Sequence, residues 1–235
     1  MIGLIRKAML FVCAGVLLAS YAMAAVPSPA NSSIPCGGGS PPGDARSIWL
    51  VGKTGTGDAS PDGQVTIVVR DFAGNPIAGS AVVIDLSACV PDMGVCAVQP
   101  VTSGVSTFCP GTGNPQVNAV TDATGTFVFK IVGGAHNNGA HVAFISIKCG
   151  KIFADGVHLG DVNVAAPDED GLSGVIPSDI SAMFSDTLDL ANYQARSDLD
   201  CSGTDIPSDV SLEFTASLPH PNKSITSGCA SVYCN

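Results

Sequence analysis

Gln64-Val65-Thr66-Ile67-Val68-Val69-Arg70-Asp71-Phe72-Ala73-Gly74-Asn75-Pro76-Ile77-Ala78-Gly79 runs from a strand-like stretch into a turn, and Ala81–Leu86 (AVVIDL) takes up the strand pattern again. The first half of Gln64–Arg70 alternates apolar and polar residues, and its Val and Ile are β-branched, as a pleated, half-buried strand favours. Gly74-Asn75 supplies a turn, and Pro76 presets an extended entry to the next strand. Working outward, Ser47–Val51, Gln116–Val120, Gly125–Val132 (GTFVFKIV), His141–Lys148 (HVAFISIK) and Lys151–Val157 read as strands, with Asp161–Ala165 as a further one. Seven or eight short strands parted by turn residues indicate a β-sandwich. Composition agrees: 13% charged residues, with Gly 27 and Pro 16, is an all-β bias. The interval 87–115 is long for a connection and holds Cys89, Cys96 and Cys109. A loop of that length needs a staple or a function, and a staple is favoured.

The N-terminus reads as an export signal over residues 1–24. Arg6 and Lys7 form a positive start, Ala8–Ala19 is apolar, and Ala22-Met23-Ala24 is a small-x-small cleavage site. No membrane span is expected after its removal. Loss of Arg6 and Lys7, with no acidic residue, moves the formal charge from −10 to −12. Such acidity excludes nucleic acid as a partner, because phosphates require a basic face. Eight cysteines remain once Cys13 leaves with the signal, and an even number in an exported chain implies disulfides. Eight cysteines allow about 105 pairings. The local expectations are Cys89 with Cys96, and Cys201 with Cys229 or Cys234. Residues 25–45, rich in Pro, Ser and Gly, read as a linker or tethered arm.

The stretch Val69–Gly79, with Thr121-Asp122-Ala123-Thr124-Gly125, resembles bacterial immunoglobulin-like domains of surface and secreted proteins. The resemblance covers about 46–165 and implies an immunoglobulin-like β-sandwich acting as spacer or adhesive module.

A second pattern lies beyond residue 165. Asp168-Glu169-Asp170-Gly171-Leu172-Ser173-Gly174-Val175-Ile176-Pro177-Ser178-Asp179 recurs 30 residues on as Asp198-Leu199-Asp200-Cys201-Ser202-Gly203-Thr204-Asp205-Ile206-Pro207-Ser208-Asp209. Carboxylates at positions 1, 3 and 12 of a twelve-residue loop can converge on one hard cation. Each copy ends in Ile-Pro-Ser-Asp, and proline suits a first helical turn. Ile180, Met183, Phe184 and Leu188 have helical spacing, and Val210, Phe214 and Leu218 repeat three of those places. The two short helices are expected to pack on each other.

Residues 166–235 resemble a dockerin, the duplicated calcium module that anchors secreted proteins to cohesin domains. The resemblance implies two EF-hand-type loop–helix units binding Ca2+ through Asp168, Asp170 and Asp179, and through Asp198, Asp200, Ser202 and Asp209. It also implies partner contacts at Pro177, Ser178, Pro207 and Ser208. Leu172 at position 5 cannot ligate through its side chain, so the second site is expected to be the stronger. The expected fold is therefore mainly β: a sandwich followed by a small α-helical module.

The remaining motifs carry little. Gly52-Lys53-Thr54-Gly55-Thr56-Gly57 has the wrong order for a phosphate loop. His136, His141, His158 and His220 share no metal spacing, and no nucleophile elbow or paired general acid and base is evident. Trp49, the sole tryptophan, is expected in the core. Asn31-Ser32-Ser33 and Asn222-Lys223-Ser224 fit a glycosylation sequon. The functional expectation is a secreted, non-enzymatic protein docking to a cohesin-type or other cell-surface partner, with polysaccharide as a further partner class. The alternatives are an extracellular structural or adhesive protein whose calcium loops only rigidify the C-terminus, and an accessory of polysaccharide degradation.

Overall fold

A computed structural model describes residues 26–36, 47–51, 65–89, 93–95, 106–108, 116–135, 148–167, 177–188, 197–202 and 208–212. The export signal, the Gly52–Gly57 stretch, the expected strand His141–Lys148 up to its last residue, and Asp168 and Asp170 lie outside them.

The described chain is mainly β. Its strands are β1 (Ile48–Val51), β2 (Val65–Val68), β3 (Ala81–Asp85), β4 (Met93–Val95), β5 (Ser106–Phe108), β6 (Gln116–Val120), β7 (Thr126–Phe129), β8 (Ile131–Ala135), β9 (Gly150–Ala154), β10 (Val157–Val162) and β11 (Val164–Ala165). One helix, α1 (Pro177–Leu188), and a helical turn at 208–212 follow. Three sheets result, in the orders β11-β1-β8-β4, β10-β9-β3-β6-β5, and β2-β7. β1 runs parallel to both β11 and β8, while β3 is antiparallel to β6 and β9.

Period-two burial builds the core. Val65 and Ile67 of β2 point inward, as do Val82 and Ile84 of β3, Val117 and Ala119 of β6, and Ile152 and Ala154 of β9. Phe127 and Phe129, two residues apart on β7, stack with ring centroids 5.0 Å apart. Residues from all three sheets join one apolar cluster. Burying each large side chain there contributes about 1.5–3 kcal/mol.

Several boundaries differ from the sequence reading. Gly125–Val132 is two strands, β7 and β8, parted by Lys130; the first pairs with β2 and the second with β1. Lys151–Val157 is not one strand either. Asp155 and Gly156 take φ of 47° and 80°, and they turn β9 back into β10. The 87–115 interval contains β4 and β5, and its staple is Cys89–Cys149, not Cys89–Cys96. Both of those sulfurs lie in the core, where the β3 exit meets the β9 entry.

Residues 26–36, inside the expected linker, are packed onto the sheet. Ser33 exchanges both backbone hydrogen bonds with Val68 (2.8 and 2.9 Å), and Ser28 N donates to Arg70 O at 2.8 Å. Ile34 is buried, over Gly160, where a Cβ would come within 2.7 Å of its Cδ1. The arm thus covers the β2 edge, which would otherwise present unpaired backbone groups.

The two motifs of the immunoglobulin-like resemblance lock together. Val69 N donates to Gly125 O (2.8 Å), Ile77 N to Val69 O (3.0 Å), and the Thr121 hydroxyl to Ile77 O (2.7 Å). Gly125, at φ 71°, leaves no room for a side chain: a Cβ would lie 2.7 Å from Val69 O and 2.9 Å from Ile77 N. Only glycine meets both demands at once. Asp71, almost fully buried, accepts from Ala73 N and Asn75 N at 2.8 Å each and from Asn75 Nδ2 at 3.1 Å. Burial pushes its carboxyl up, and these donors outweigh that, holding it below the ordinary carboxylate value.

Candidate metal centre

The second acidic loop is described at 197–202 and at 208–212, where its helical turn begins. Asp198, Asp200 and Asp209 each offer a carboxylate oxygen, and these oxygens lie within 4.8 Å of one another. Asp198 and Asp209 are buried and Asp200 is half-buried. Positions 1, 3 and 12 of the loop therefore converge as the spacing predicts.

Backbone amides hold the three in place. Asp209 Oδ1 accepts from Leu199 N at 2.9 Å and Asp200 N at 3.1 Å. Ser202 N donates to Asp198 Oδ1 (3.0 Å) and to Asp200 Oδ1 (2.9 Å). The Ser208 hydroxyl donates to Asp200 Oδ2 at 2.9 Å. Burial raises the Asp200 carboxyl, and hydrogen bonds from Ser208 and Ser202 more than offset this, leaving it below its ordinary value and ionised at neutral pH.

At Ser202, expected as a ligand, the backbone amide donates to two of the carboxylates and the residue is exposed. Ser208, expected at a partner surface, is exposed, and its hydroxyl donates to the acidic cluster. Of the other expected contacts, Ser178 is exposed at the start of α1, the Pro177 backbone opens that helix, and Pro207 lies outside the described residues. In the first loop Asp179 is fully buried in the first turn of α1, the counterpart of Asp209. A carboxylate there also meets the positive end of the helix.

The loop is fastened to the β-structure through Trp49, expected in the core, and through Ser47 and Asn163, which the sequence reading did not single out. Asp198 O accepts from the Ser47 hydroxyl and from Asn163 Nδ2, the latter at 2.9 Å. Leu199 O accepts from Ser47 N at 3.2 Å and from the Trp49 indole at 3.0 Å. Leu199 and Met183 of α1 are buried with Trp49 and Ala165, and Val210 and Leu212 pack beside them. Trp49 is a core residue, as expected. Cys201, between Asp200 and Ser202, is bridged to Cys36 of the arm and not to Cys229 or Cys234. The apolar stripe of α1 is narrower than its spacing suggests: Met183 is buried, but Phe184 and Leu188 are 51% and 80% exposed. The helix meets the β-structure, with Met183 as its contact. One signal was legible: Asn163 is a lone polar residue between Val162 and Val164, where a buried amide needs partners.

Three carboxylates this close repel one another, and burying such charges is costly unless something compensates them. An all-oxygen acidic set suits a hard divalent cation such as Ca2+ or Mg2+, and not the softer metals that seek thiolate or imidazole. The arrangement can hold a metal ion.

The other marked residues bear less on function. His158 Nε2 lies 3.1 Å from Asp161 Oδ1 on the exposed face of β10. In the sequon at Asn31, the side-chain amide donates to Asp71 O at 2.9 Å, and Ser32 and Ser33 are buried. Among the described residues, no helix is long and apolar enough to cross a membrane. No protein-family model matches the chain, and no curated protein or solved structure matches it.

Proposed function

We propose that the chain is a secreted, non-catalytic protein in which a dockerin-like loop binds Ca2+ and fixes the C-terminal segment against an immunoglobulin-like domain. The observation that carries this reading is the convergence of Asp198, Asp200 and Asp209 within 4.8 Å. The ion supplies positive charge at the point where three carboxylates meet. The protein's own groups do the rest. Ser202 and the Leu199 and Asp200 amides aim the oxygens, and Ser47, Asn163 and Trp49 hold the loop backbone. Cation binding and the order of the C-terminal segment are then one equilibrium. Two disulfides support an oxidising, extracellular setting. The locked motifs at Asp71 and Gly125 support the immunoglobulin-like reading of the β-domain. Asp179, buried as Asp209 is, supports a second, weaker site in the first loop.

Docking to a cohesin-type domain is the second reading, favoured by the exposed Ser178 at the start of α1. The two readings part on partner binding. Calorimetric titration of the full chain with Ca2+ is expected to give an affinity on the order of 10⁻⁶–10⁻³ M. Equal stability in Ca2+ and in EDTA, with no heat of binding, removes the calcium reading. Capture on a panel of cohesin domains in Ca2+, abolished by EDTA, selects the docking reading over the purely structural one.

A further inference from the structure

The two disulfides differ in reach. Cys89 and Cys149 are each 2% exposed inside the main core, whereas Cys36 and Cys201 are half-buried at its margin. Exposure governs access of an attacking thiolate. The bridges also differ in what they hold. Cys89–Cys149 joins parts of the chain that β3 and β9 already pair. Cys36–Cys201 joins the arm to the loop that carries Asp198 and Asp200. Elsewhere this loop meets the β-domain through backbone carbonyls of Asp198 and Leu199 and the small cluster around Trp49.

We propose that Cys36–Cys201 is a reducible latch: a dithiol opens it before Cys89–Cys149, and the C-terminal segment then loosens from Trp49. In the exchange, a dithiol thiolate attacks one sulfur of the bridge and forms a mixed disulfide. The second thiol of the reagent resolves it. The reagent leaves oxidised to its own disulfide, and Cys36 and Cys201 take up two electrons and two protons as thiols.

Ser47 stands at the joint. Its hydroxyl oxygen lies 3.0 Å from Cys201 Sγ and 3.8 Å from Cys36 Sγ, while its hydroxyl donates to Asp198 O. Movement of the sulfurs on opening therefore acts directly on a hydrogen bond that fastens the loop. Among the described residues, the docking without the crosslink includes hydrogen bonds to two carbonyls and a satellite apolar cluster, a small contact beside the main core. The latch is a property of the fold and needs no ion.

The only tryptophan in the chain sits at this contact, so its emission reports the docking. The experiment is graded reduction of the full chain with dithiothreitol, alkylation at each step, and mass spectrometry at the four cysteines alongside tryptophan emission. Cys36 and Cys201 are expected to label at least about tenfold faster than Cys89 and Cys149. The emission is expected to shift to the red in step with that labelling, and reoxidation to restore it. Labelling of Cys89 and Cys149 as early as Cys36 and Cys201 overturns the proposal. So does complete labelling of Cys36 and Cys201 with unchanged emission. A chain with Cys36→Ser and Cys201→Ser should show the shifted emission with no reductant present; emission matching the oxidised parent again overturns it.

Discussion

Two buried aspartates, Asp71 and Asp209, begin from the same device and reach different ends. Each turns its carboxylate onto backbone amides close in sequence or in the fold, and so organises a loop. Asp71 sits among donors from Ala73 and Asn75. Asp209 shares its loop with Asp198 and Asp200, their oxygens within 4.8 Å. At the first site the donors outweigh the effect of burial. At the second, three carboxylates meet at one point, where like charges repel. A carboxylate in a turn is thus structural when its donors suffice, and a candidate ligand when carboxylates accumulate around one point.

The hardest test of the first region is Gly125→Val. A side chain there meets Val69 O and Ile77 N at a positive φ, so a loss on the order of 4 kcal/mol is expected, read as a collapse of the urea midpoint. Ca2+ should not rescue it. The equivalent test of the second region is Leu199→Ala, which empties a fully buried site against Trp49 and Met183. It should cost about 3 kcal/mol. Hydrogen exchange is expected to localise the loss to α1, 197–202 and 208–212, leaving β2, β3 and β6 protected.

Charge separates the two aspartates more finely. Asp209→Asn keeps an amide acceptor and removes a charge. In EDTA it should be as stable as the parent or more so, because like-charge repulsion falls, while Ca2+ affinity drops about 10–100-fold by calorimetry. With the parent chain, saturating Ca2+ at about a hundredfold over its dissociation constant should add about 2.7 kcal/mol. Asp71→Asn should show neither effect.

The smallest expected effect is on the acid limb. The folded values of Asp71 and of Asp122, which is held down by Thr124 and Thr126, lie below the ordinary 3.8. Their contribution is therefore present above that value and is lost as pH falls through the folded values. Asp71→Asn should flatten acid unfolding followed by circular dichroism in EDTA. An unchanged acid limb would place the acid-sensitive groups elsewhere.

The legible parts were those set by local spacing. Asp at positions 1, 3 and 12 put three oxygens together, and Gly74-Asn75 and Gly125 marked real turns. Asp155-Gly156 was equally plain, since Asp-Gly between alternating apolar residues is a hairpin signal. It parts the apolar run Lys151–Val157 into β9 and the start of β10. Composition left the arm open between a linker and a tethered arm; Ser33 pairs with Val68 and Ile34 enters the core, a packing that its prolines and serines do not signal. Pairings across long separations left no local trace. Cys36 and Cys201 are 165 residues apart, and spacing alone favours near partners over such a closure. The repeat itself held one clue. Gly171 of the first loop corresponds to Cys201 of the second, and Cys201 adopts φ 61°, a conformation glycine takes freely.

That long bridge also changes the topology of the covalent chain. Residues 36–201 form a closed covalent ring, and almost the whole β-domain lies on it. A protease that nicks one exposed loop within the ring leaves a single molecule, its cut ends held by the fold and its pieces still joined through Cys36 and Cys201. Fragments should part on a gel only after reduction. One cut is then damage that the architecture can absorb.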